Sequence, residues 1–221
     1  MNILVVSPHP DDETLGCGGT LLKHRAKNDK VSWLILTNVS EAAGYPKSRV
    51  NSRQREITAV AKRYGFSKVI KLDFPTTRLD TVARSELVKA VHGAIAHLAP
   101  SWVYAPYHCD AHSDHQVAFD AVQSAVKSFR APSVKKVLMY EVLSETESRL
   151  PLRGKSFVPN SFSDISGYLK KKIGIMRIYK GEMKRHPFPR SEKNIEALAL
   201  FRGASAGFKY AEAFMILKEV W

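Results

Sequence analysis

Hydrophobic positions along the first 145 residues fall into two alternating kinds of segment. Short apolar runs, such as residues 3–6, are typical of buried parallel strands, whereas residues 81–98 repeat apolar side chains at helical spacing. The apolar runs predict five strands, near residues 3–6, 31–37, 68–72, 102–105 and 135–143. The remaining segments predict four helices between them: a glycine-rich one reaching Lys23, then residues 53–64, 81–98 and 114–129.

This alternation predicts an α/β fold with a mostly parallel sheet, right-handed crossovers and helices on both faces. In the common strand order 3-2-1-4-5, strands 1 and 4 are neighbours, and ligands bind beyond their carboxyl ends. The loop after strand 1 carries His9, Asp11 and Asp12. The loop after strand 4 carries a second polar cluster, namely His108, Asp110, His112, Asp114 and His115. We therefore expect the two clusters to meet at one crevice.

The first of these loops is stiff, because prolines flank His9 on both sides and proline fixes φ near about −65°. Such a loop presents an imidazole and the carboxylates of residues 11–13 in defined positions. Helix capping is the alternative, since acidic residues before a helix also cap it. Capping would account for Asp12 and Glu13, but not for His9 or the two prolines.

The segment after residue 145 lacks the alternation. It contains a basic helical pattern over residues 165–185, a loop over 185–191, a helix over 192–202 and a strand over 214–218. The lysines at 170–172 are expected on a solvated helix face. We predict a single domain over residues 1–221, with a core of about 1–145 and an extension of about 146–221 that packs on the sheet and rims the crevice.

Composition narrows the class of protein. Of the 221 residues, 44% are hydrophobic and 25% charged, as in ordinary globular proteins, and no apolar stretch approaches the ~20 residues of a membrane span. Two cysteines and no signal-peptide pattern favour the cytoplasm. The net charge of +13 suggests anionic partners, but the cations are spread along the chain without an RNA-binding motif or zinc-finger spacing. No specific nucleic-acid partner is therefore predicted.

The two polar clusters have the composition of a metal site. Two imidazoles and a carboxylate suit a catalytic zinc, and also iron(II) or another divalent ion. A spare carboxylate there can accept a proton from water, and a spare imidazole can donate to an oxyanion. A lone histidine is more often structural, but that alternative is weak for three histidines within eight residues. A dinucleotide site is disfavoured, because residues 16–21 do not follow G-x-G-x-x-G.

Several motifs resemble the LmbE-like (PIG-L) family of metal-dependent N-deacetylases. The specific ones are P-H-P-D-D-E at 8–13 with G-C-G-G-T at 16–20, and D-A-H-S-D-H at 110–115. Supporting ones are R-Q-R-E at 53–56, L-D-F-P-T-T-R-L-D at 72–80 and Y-A-E-A-F at 210–214. The resemblance covers nearly the whole chain. One departure is the family's T-x-G-E after strand 2, which is T-N-V-S-E at 37–41 here: Glu41 is kept, but the glycine is missing or displaced to Gly44.

The resemblance implies a Rossmann-like fold and a zinc-dependent hydrolase that removes an N-acetyl group from an amino-sugar-containing substrate. It implies one Zn²⁺ ligated by His9, Asp12 and His115. It assigns Asp11 as general base, His112 as oxyanion stabiliser and Asp114 as a residue that orients a neighbouring histidine. It also implies that Arg53 binds polar groups of the substrate.

The partner is then a small-molecule N-acetylated sugar or glycoconjugate. Two alternatives stay open for Arg53, Arg78 and the basic residues 184–190: they line the crevice mouth and favour an anionic or nucleotide-linked sugar, or they form an ordinary basic surface. The sugar and the oligomeric state, monomer or homo-oligomer, stay open. Two rival classes also stay open: a non-catalytic metal- or sugar-binding protein of the same fold, disfavoured by the spare Asp11, and a nucleic-acid or phosphate-binding protein.

Overall fold

The computed structural model describes residues 1–150 and 156–221, so residues 151–155 of the predicted extension lie outside it. Its strands are β1 Asn2–Ser7, β2 Lys30–Asn38, β3 Lys68–Pro75, β4 Trp102–Pro106, β5 Lys136–Tyr140, β6 Ser161–Asp164 and β7 Ala211–Glu219. Its α-helices are α1 Asp12–Ala26, α2 Lys47–Tyr64, α3 Arg84–Leu98, α4 Ser113–Ala125, α5 Leu169–Met176 and α6 Glu192–Ala206. Short 3₁₀ helices cover Glu41–Ala43 and Leu79–Thr81.

The strands form one mixed sheet in the order β3-β2-β1-β4-β5-β7-β6. Strands β1 to β5 are parallel, which confirms the predicted order 3-2-1-4-5 and the neighbourhood of β1 and β4. The extension continues this sheet, because β7 pairs antiparallel with both β5 and β6. The hydrophobic pattern did not predict β6, because its four residues, S-F-S-D, contain no apolar run.

The core lies on both faces of the sheet. Alternate residues of β1 point to opposite faces, with Ile3 and Val5 in one apolar cluster and Leu4 and Val6 in the other. Helices α1, α2, α5 and α6 contribute to the first cluster, and α3 and α4 to the second. Helices therefore cover both faces, as predicted. None of the described helices is long and apolar enough to span a bilayer.

Several predicted boundaries were wrong. Helix α2 begins at Lys47 and not at residue 53, because Pro46 supplies an extended residue just before the first turn and the mostly polar residues 47–52 can continue a helix. Helix α4 ends at Ala125 and not at 129. The basic helix expected over 165–185 is the eight-residue α5, after which the chain turns so that the Tyr179 hydroxyl donates to Glu13 Oε1 at 2.7 Å.

Helix α1 is kinked at Cys17, which has φ −141° and ψ 20°. The kink frees backbone N–H groups in the following turn, and the carboxylate of Glu212 in β7 accepts them, from Gly19 at 2.9 Å and from Thr20 at 2.7 Å. A side chain from the far end of the chain thus caps the second half of the first helix. This contact ties the extension to the helix that begins the candidate site.

Lys172 completes that arrangement. Its ammonium is buried and donates to Glu212 Oε1 at 2.7 Å and to the Leu15 carbonyl at 2.8 Å. The solvated helix face predicted for 170–172 is therefore wrong for Lys172, although Lys170 and Lys171 are exposed. The free carbonyl at the kink and the buried carboxylate explain why this one lysine points inward.

Candidate active site

His9 and Asp12 come together where β1 passes into α1. His9 lies in the short loop after β1, and Asp12 is the first residue of α1, one turn later. Asp12 Oδ2 accepts the backbone N–H of His9 at 2.8 Å and lies 3.5 Å from His9 Nδ1. The helix thus begins earlier than expected, and Asp12 belongs to its first turn. Its carboxylate nevertheless turns back to the histidine.

The second cluster meets the first, as the strand order predicts, except for His108, which is exposed and has its ring centroid 5.4 Å from that of Phe119 in α4. His115 lies in the first turn of α4, after β4, and its Nε2 is 3.4 Å from Asp12 Oδ2. Its other ring nitrogen, Nδ1, is 2.7 Å from Asp110 Oδ2. Asp110 also accepts a hydrogen bond from the Thr146 hydroxyl at 2.6 Å. Thr146 thus holds Asp110, and Asp110 holds the imidazole of His115.

His9, Asp12 and His115 fit a divalent metal ion. One ligand atom from each lies within 4.8 Å of the others. His115 Nε2 is buried and has no hydrogen-bond partner among the described residues, although a buried polar atom normally has one. A carboxylate that holds the opposite ring nitrogen is the usual support of a metal-bound histidine. Burial alone would raise the pKa of Asp12, but the two imidazoles beside it bring that pKa below its usual range, so the carboxylate is ionised.

A second group of potential ligands, His9, His112 and Asp114, fits less well. The Asp114 carboxylate is already occupied, since it is 2.9 Å from His9 Nε2 and accepts backbone N–H groups from Thr77 at 2.7 Å and Leu79 at 3.0 Å. Asp114 therefore holds the ring of His9 with Nδ1 towards Asp12. This contact is the one expected of a residue that orients a histidine.

His112 is the N-cap residue of α4, and its Nδ1 accepts the Asp114 N–H at 3.1 Å. Burial, followed by the neighbouring His9 and His115, lowers the pKa of His112 to about 4, so its imidazole is neutral near pH 7. With Nδ1 accepting, the ring proton resides on Nε2. His112 therefore offers one N–H donor beside the ring of His9, whose centroid is 4.5 Å away.

Asp11 sits between the histidine loop and the helix with φ 135°, a strained value for a residue other than glycine. Its buried carboxylate lies 3.3 Å from Arg190 Nη1. Burial raises the pKa of Asp11 well above its ordinary range, and Asp12 and Glu182 add to the effect, while Arg190 and Arg53 oppose it. Asp11 is thus a basic carboxylate held apart from the His9–Asp12–His115 group.

A cavity of about 260 Å³ is lined by His9, Asp11, Asp12, His112 and His115. Its other walls come from β2, α2 and the extension, and include Thr37, Asn38, Val39, Tyr45, Arg49, Arg53, Thr76, Thr77, Val142, Glu145, Glu182 and Arg190. Sequence reasoning missed Tyr45, Arg49, Glu145 and Glu182, which carry no recognisable motif. Val39 occupies the place where the family glycine is missing, and Glu41 is exposed.

Arg53 lines the cavity, but its guanidinium is committed to protein groups. It donates to the Pro10 carbonyl at 2.8 Å, lies 3.5 Å from Glu56 and pairs with Glu182. These contacts hold the His9 loop, and the predicted substrate contact of Arg53 stays a prediction. The structure does not bring Arg78 to the cavity: it is exposed, and Thr76 and Thr77 take its place. Of the basic residues 184–190, only Arg190 lines the cavity.

Comparison with known proteins agrees with this geometry. The model of the PIG-L family, described as GlcNAc-PI de-N-acetylase, matches residues 4–126, more than half of the chain. The diacetylchitobiose deacetylase of Thermococcus kodakarensis is 26% identical over 230 aligned residues, which cover 99% of this chain and 84% of that protein. The solved structure of a conserved protein from Thermus thermophilus has a TM-score of 0.79 and 26% identity, covering 100% of this chain and 96% of that one.

The same fold also carries other chemistry. The structure of the 4-carboxy-2-hydroxymuconate hydratase from Pseudomonas putida has a TM-score of 0.77 to this chain and covers 100% of it and 98% of that chain. At 19% identity this likeness is one of fold alone. The fold therefore does not determine the reaction, which depends on the residues of the site.

Proposed function

The chain belongs to the PIG-L family, and from this premise we propose that it is a metal-dependent amide hydrolase that removes an N-acetyl group from an amino-sugar-containing substrate. One observation carries the proposal. His115 Nε2 is buried without a hydrogen-bond partner in the described structure, and it faces the ionised Asp12 across 3.4 Å. A histidine with only a structural role would have a hydrogen-bond partner at this nitrogen, because a buried polar group without one costs about 1–3 kcal/mol.

His9, Asp12 and His115 would hold the metal, with zinc the ion best matched to two imidazoles and one carboxylate. When bound, such an ion lowers the pKa of its water to about 7 and polarises a carbonyl oxygen. Asp114 and Asp110 position the two histidines through 2.9 Å and 2.7 Å contacts. The chain thus supplies ligands that are oriented before the ion arrives.

The remaining polar groups would handle protons and charge. Asp11 lies beside the ligands without belonging to them, so it can accept the proton of the attacking water. His112 lines the cavity with its ring proton on Nε2 and can donate to the oxyanion that forms at the amide carbonyl. Protonated Asp11 can then supply a proton to the leaving amine. A site used only for binding would have no need of a basic carboxylate in a strained backbone position.

The substrate would be a small N-acetylated sugar or the sugar end of a glycoconjugate. The cavity of about 260 Å³ is slightly smaller than the ~300–1,000 Å³ typical of small-molecule sites, which suits one sugar unit. Family membership and the named activity of the Thermococcus relative support this substrate class.

We also propose that residues 1–221 form one domain. The extension is part of this domain because its strand β7 pairs with β5 inside the sheet. The cytoplasmic assignment rests on the two free cysteines, Cys17 and Cys109.

Acetate release from a panel of N-acetylated sugars tests the proposal. We expect release from at least one member, its loss in His115→Ala, and metal in the purified wild-type protein. A hydratase would instead convert an unsaturated carboxylic acid without releasing acetate, and a binding protein would bind a sugar without turnover. Either of these results would refute the proposal.

A further inference from the structure

A second concave surface lies beside the candidate active site. We call it the basic groove; it has a volume of about 650 Å³ and is lined by residues between 177 and 193. Only one run of backbone separates it from the active-site cavity. Gly181 and Met183 line the groove, whereas Glu182 between them lines the cavity. The cavity and the groove are therefore lined by the same short segment of the chain.

The groove carries positive charge without matching acids. Arg177 is paired with Glu192, the one carboxylate among the lining residues that the structure describes. The other lining cations are Lys180, Lys184, Arg185 and Lys193, all exposed. None of these four forms an ion pair with a carboxylate in the described part of the chain, whereas cations around the cavity, such as Arg49, do.

Helix α6 adds to this potential. It begins at Glu192 with Ser191 as its N-cap, and Ser191, Glu192 and Lys193 all line the groove. The amino end of a 15-residue helix carries a partial positive charge, and the Ser191 side chain accepts one of its N–H groups, that of Asn194. Helix end and unpaired cations therefore point to the same kind of occupant, one with two or more negative charges.

The segment is also anchored to the active site. Arg49 donates to the Lys180 carbonyl at 3.4 Å and to Glu182 Oε1 at 2.9 Å, and Arg190 contacts both Glu182 and Asp11. An occupant of the groove would thus be held at a defined position relative to the reacting groups. This anchoring favours a part of the substrate over an unrelated partner.

We propose that the basic groove binds an anionic group, such as a diphosphate, on the part of the substrate that extends beyond the acetamido sugar. The proposal rests on the proposed function and makes it narrower: the enzyme selects negatively charged conjugates of the amino sugar. A nucleic acid is the less favoured occupant, because the four cations lie in one short groove and not along a stripe.

Two double variants provide the test. Lys184→Gln/Arg185→Gln removes two charges from the groove, and Lys170→Gln/Lys171→Gln removes two exposed charges on α5 that do not line it. We expect the groove variant to lose about tenfold in kcat/KM for UDP-N-acetylglucosamine, as two exposed ion pairs would give, and nothing for neutral diacetylchitobiose. The α5 variant should match wild type on both substrates.

Calorimetric binding of UDP, which has no N-acetyl group, reports on the groove without turnover. UDP should bind the wild-type protein and the α5 variant equally, bind the groove variant about tenfold more weakly, and bind all three less tightly as salt rises. If the wild-type protein does not bind UDP, or if both variants bind it equally, the proposal that the groove binds an anionic group is wrong. Tighter binding of a single-stranded DNA that only the groove variant loses would also contradict the proposal. If no sugar releases acetate but UDP binding follows the expected pattern, the proposed function is wrong and the groove is still an anion-binding site.

Discussion

Replacing the two adjacent aspartates separates the roles assigned to them. Asp12 Oδ2 faces both imidazoles, 3.5 Å from His9 Nδ1 and 3.4 Å from His115 Nε2, whereas the Asp11 carboxylate lies 3.3 Å from Arg190 Nη1. Asp11→Asn keeps the size of the side chain and should retain the metal. Burial raises the pKa of Asp11, so loss of its charge should not destabilise the fold.

The expected cost in rate follows from the loss of a general base. Asp11→Asn should lower kcat by about 10²–10⁴-fold, which corresponds to about 3–5 kcal/mol of activation free energy. Asp12→Asn should instead lose metal affinity and recover part of its activity at high zinc, because the fold still brings the two histidines together. In both variants the melting temperature should stay within a few degrees of wild type.

The assay is metal content and acetate release for wild type, Asp11→Asn and Asp12→Asn across a zinc titration. If Asp11→Asn loses its metal while Asp12→Asn keeps it, the two roles are exchanged. If Asp11→Asn retains a tenth or more of the wild-type kcat, the base lies elsewhere. Glu145, which also lines the cavity, would then be the next candidate. If neither change affects metal or rate, the acidic pair serves the fold alone and the mechanism is wrong.

Three further changes test the framework and the site. Lys172→Met leaves a buried carboxylate unpaired and should cost about 3–5 kcal/mol in urea unfolding, whereas Lys170→Met at an exposed position should cost under about 0.5 kcal/mol. Gly16→Ala would place a Cβ in the ring of Tyr140 and should lower stability by about 1–3 kcal/mol in the same assay; no change would mean that the helix shifts freely. His112→Ala should lose about 10²–10³-fold in kcat while keeping its metal, and loss of metal would make His112 a ligand.

The sequence predicted the crevice because its signals were local and periodic. The apolar runs of β1 and β4 and the polar loops after them suffice to place His9 opposite His115 once the strand order is known. The extension was harder, because its decisive contacts are long-range. Lys172 looks like part of a solvated lysine run, and only the kink in α1 and the buried Glu212 give it a place inside.

Long-range contacts also form the walls of the cavity, and the sequence pattern did not predict them. Glu182 and Arg190 reach the site from a segment without regular structure; Arg190 contacts Asp11, 179 residues earlier, and Glu182 contacts Arg53, 129 residues earlier. Arg53 shows the opposite case, in which a motif identified the residue but not its contacts. Its guanidinium is bound to Pro10 and Glu182, a positioning arrangement that residue type alone does not reveal.

Metal dependence of acetate release is the most direct test of the central claim. Protein stripped with a chelator should release no acetate from an N-acetylated sugar, and activity should return with added zinc and reach its plateau at about one ion per chain. His115→Ala should fail to recover under the same titration. Undiminished acetate release by stripped wild-type protein, shown by elemental analysis to hold no metal, would contradict the account.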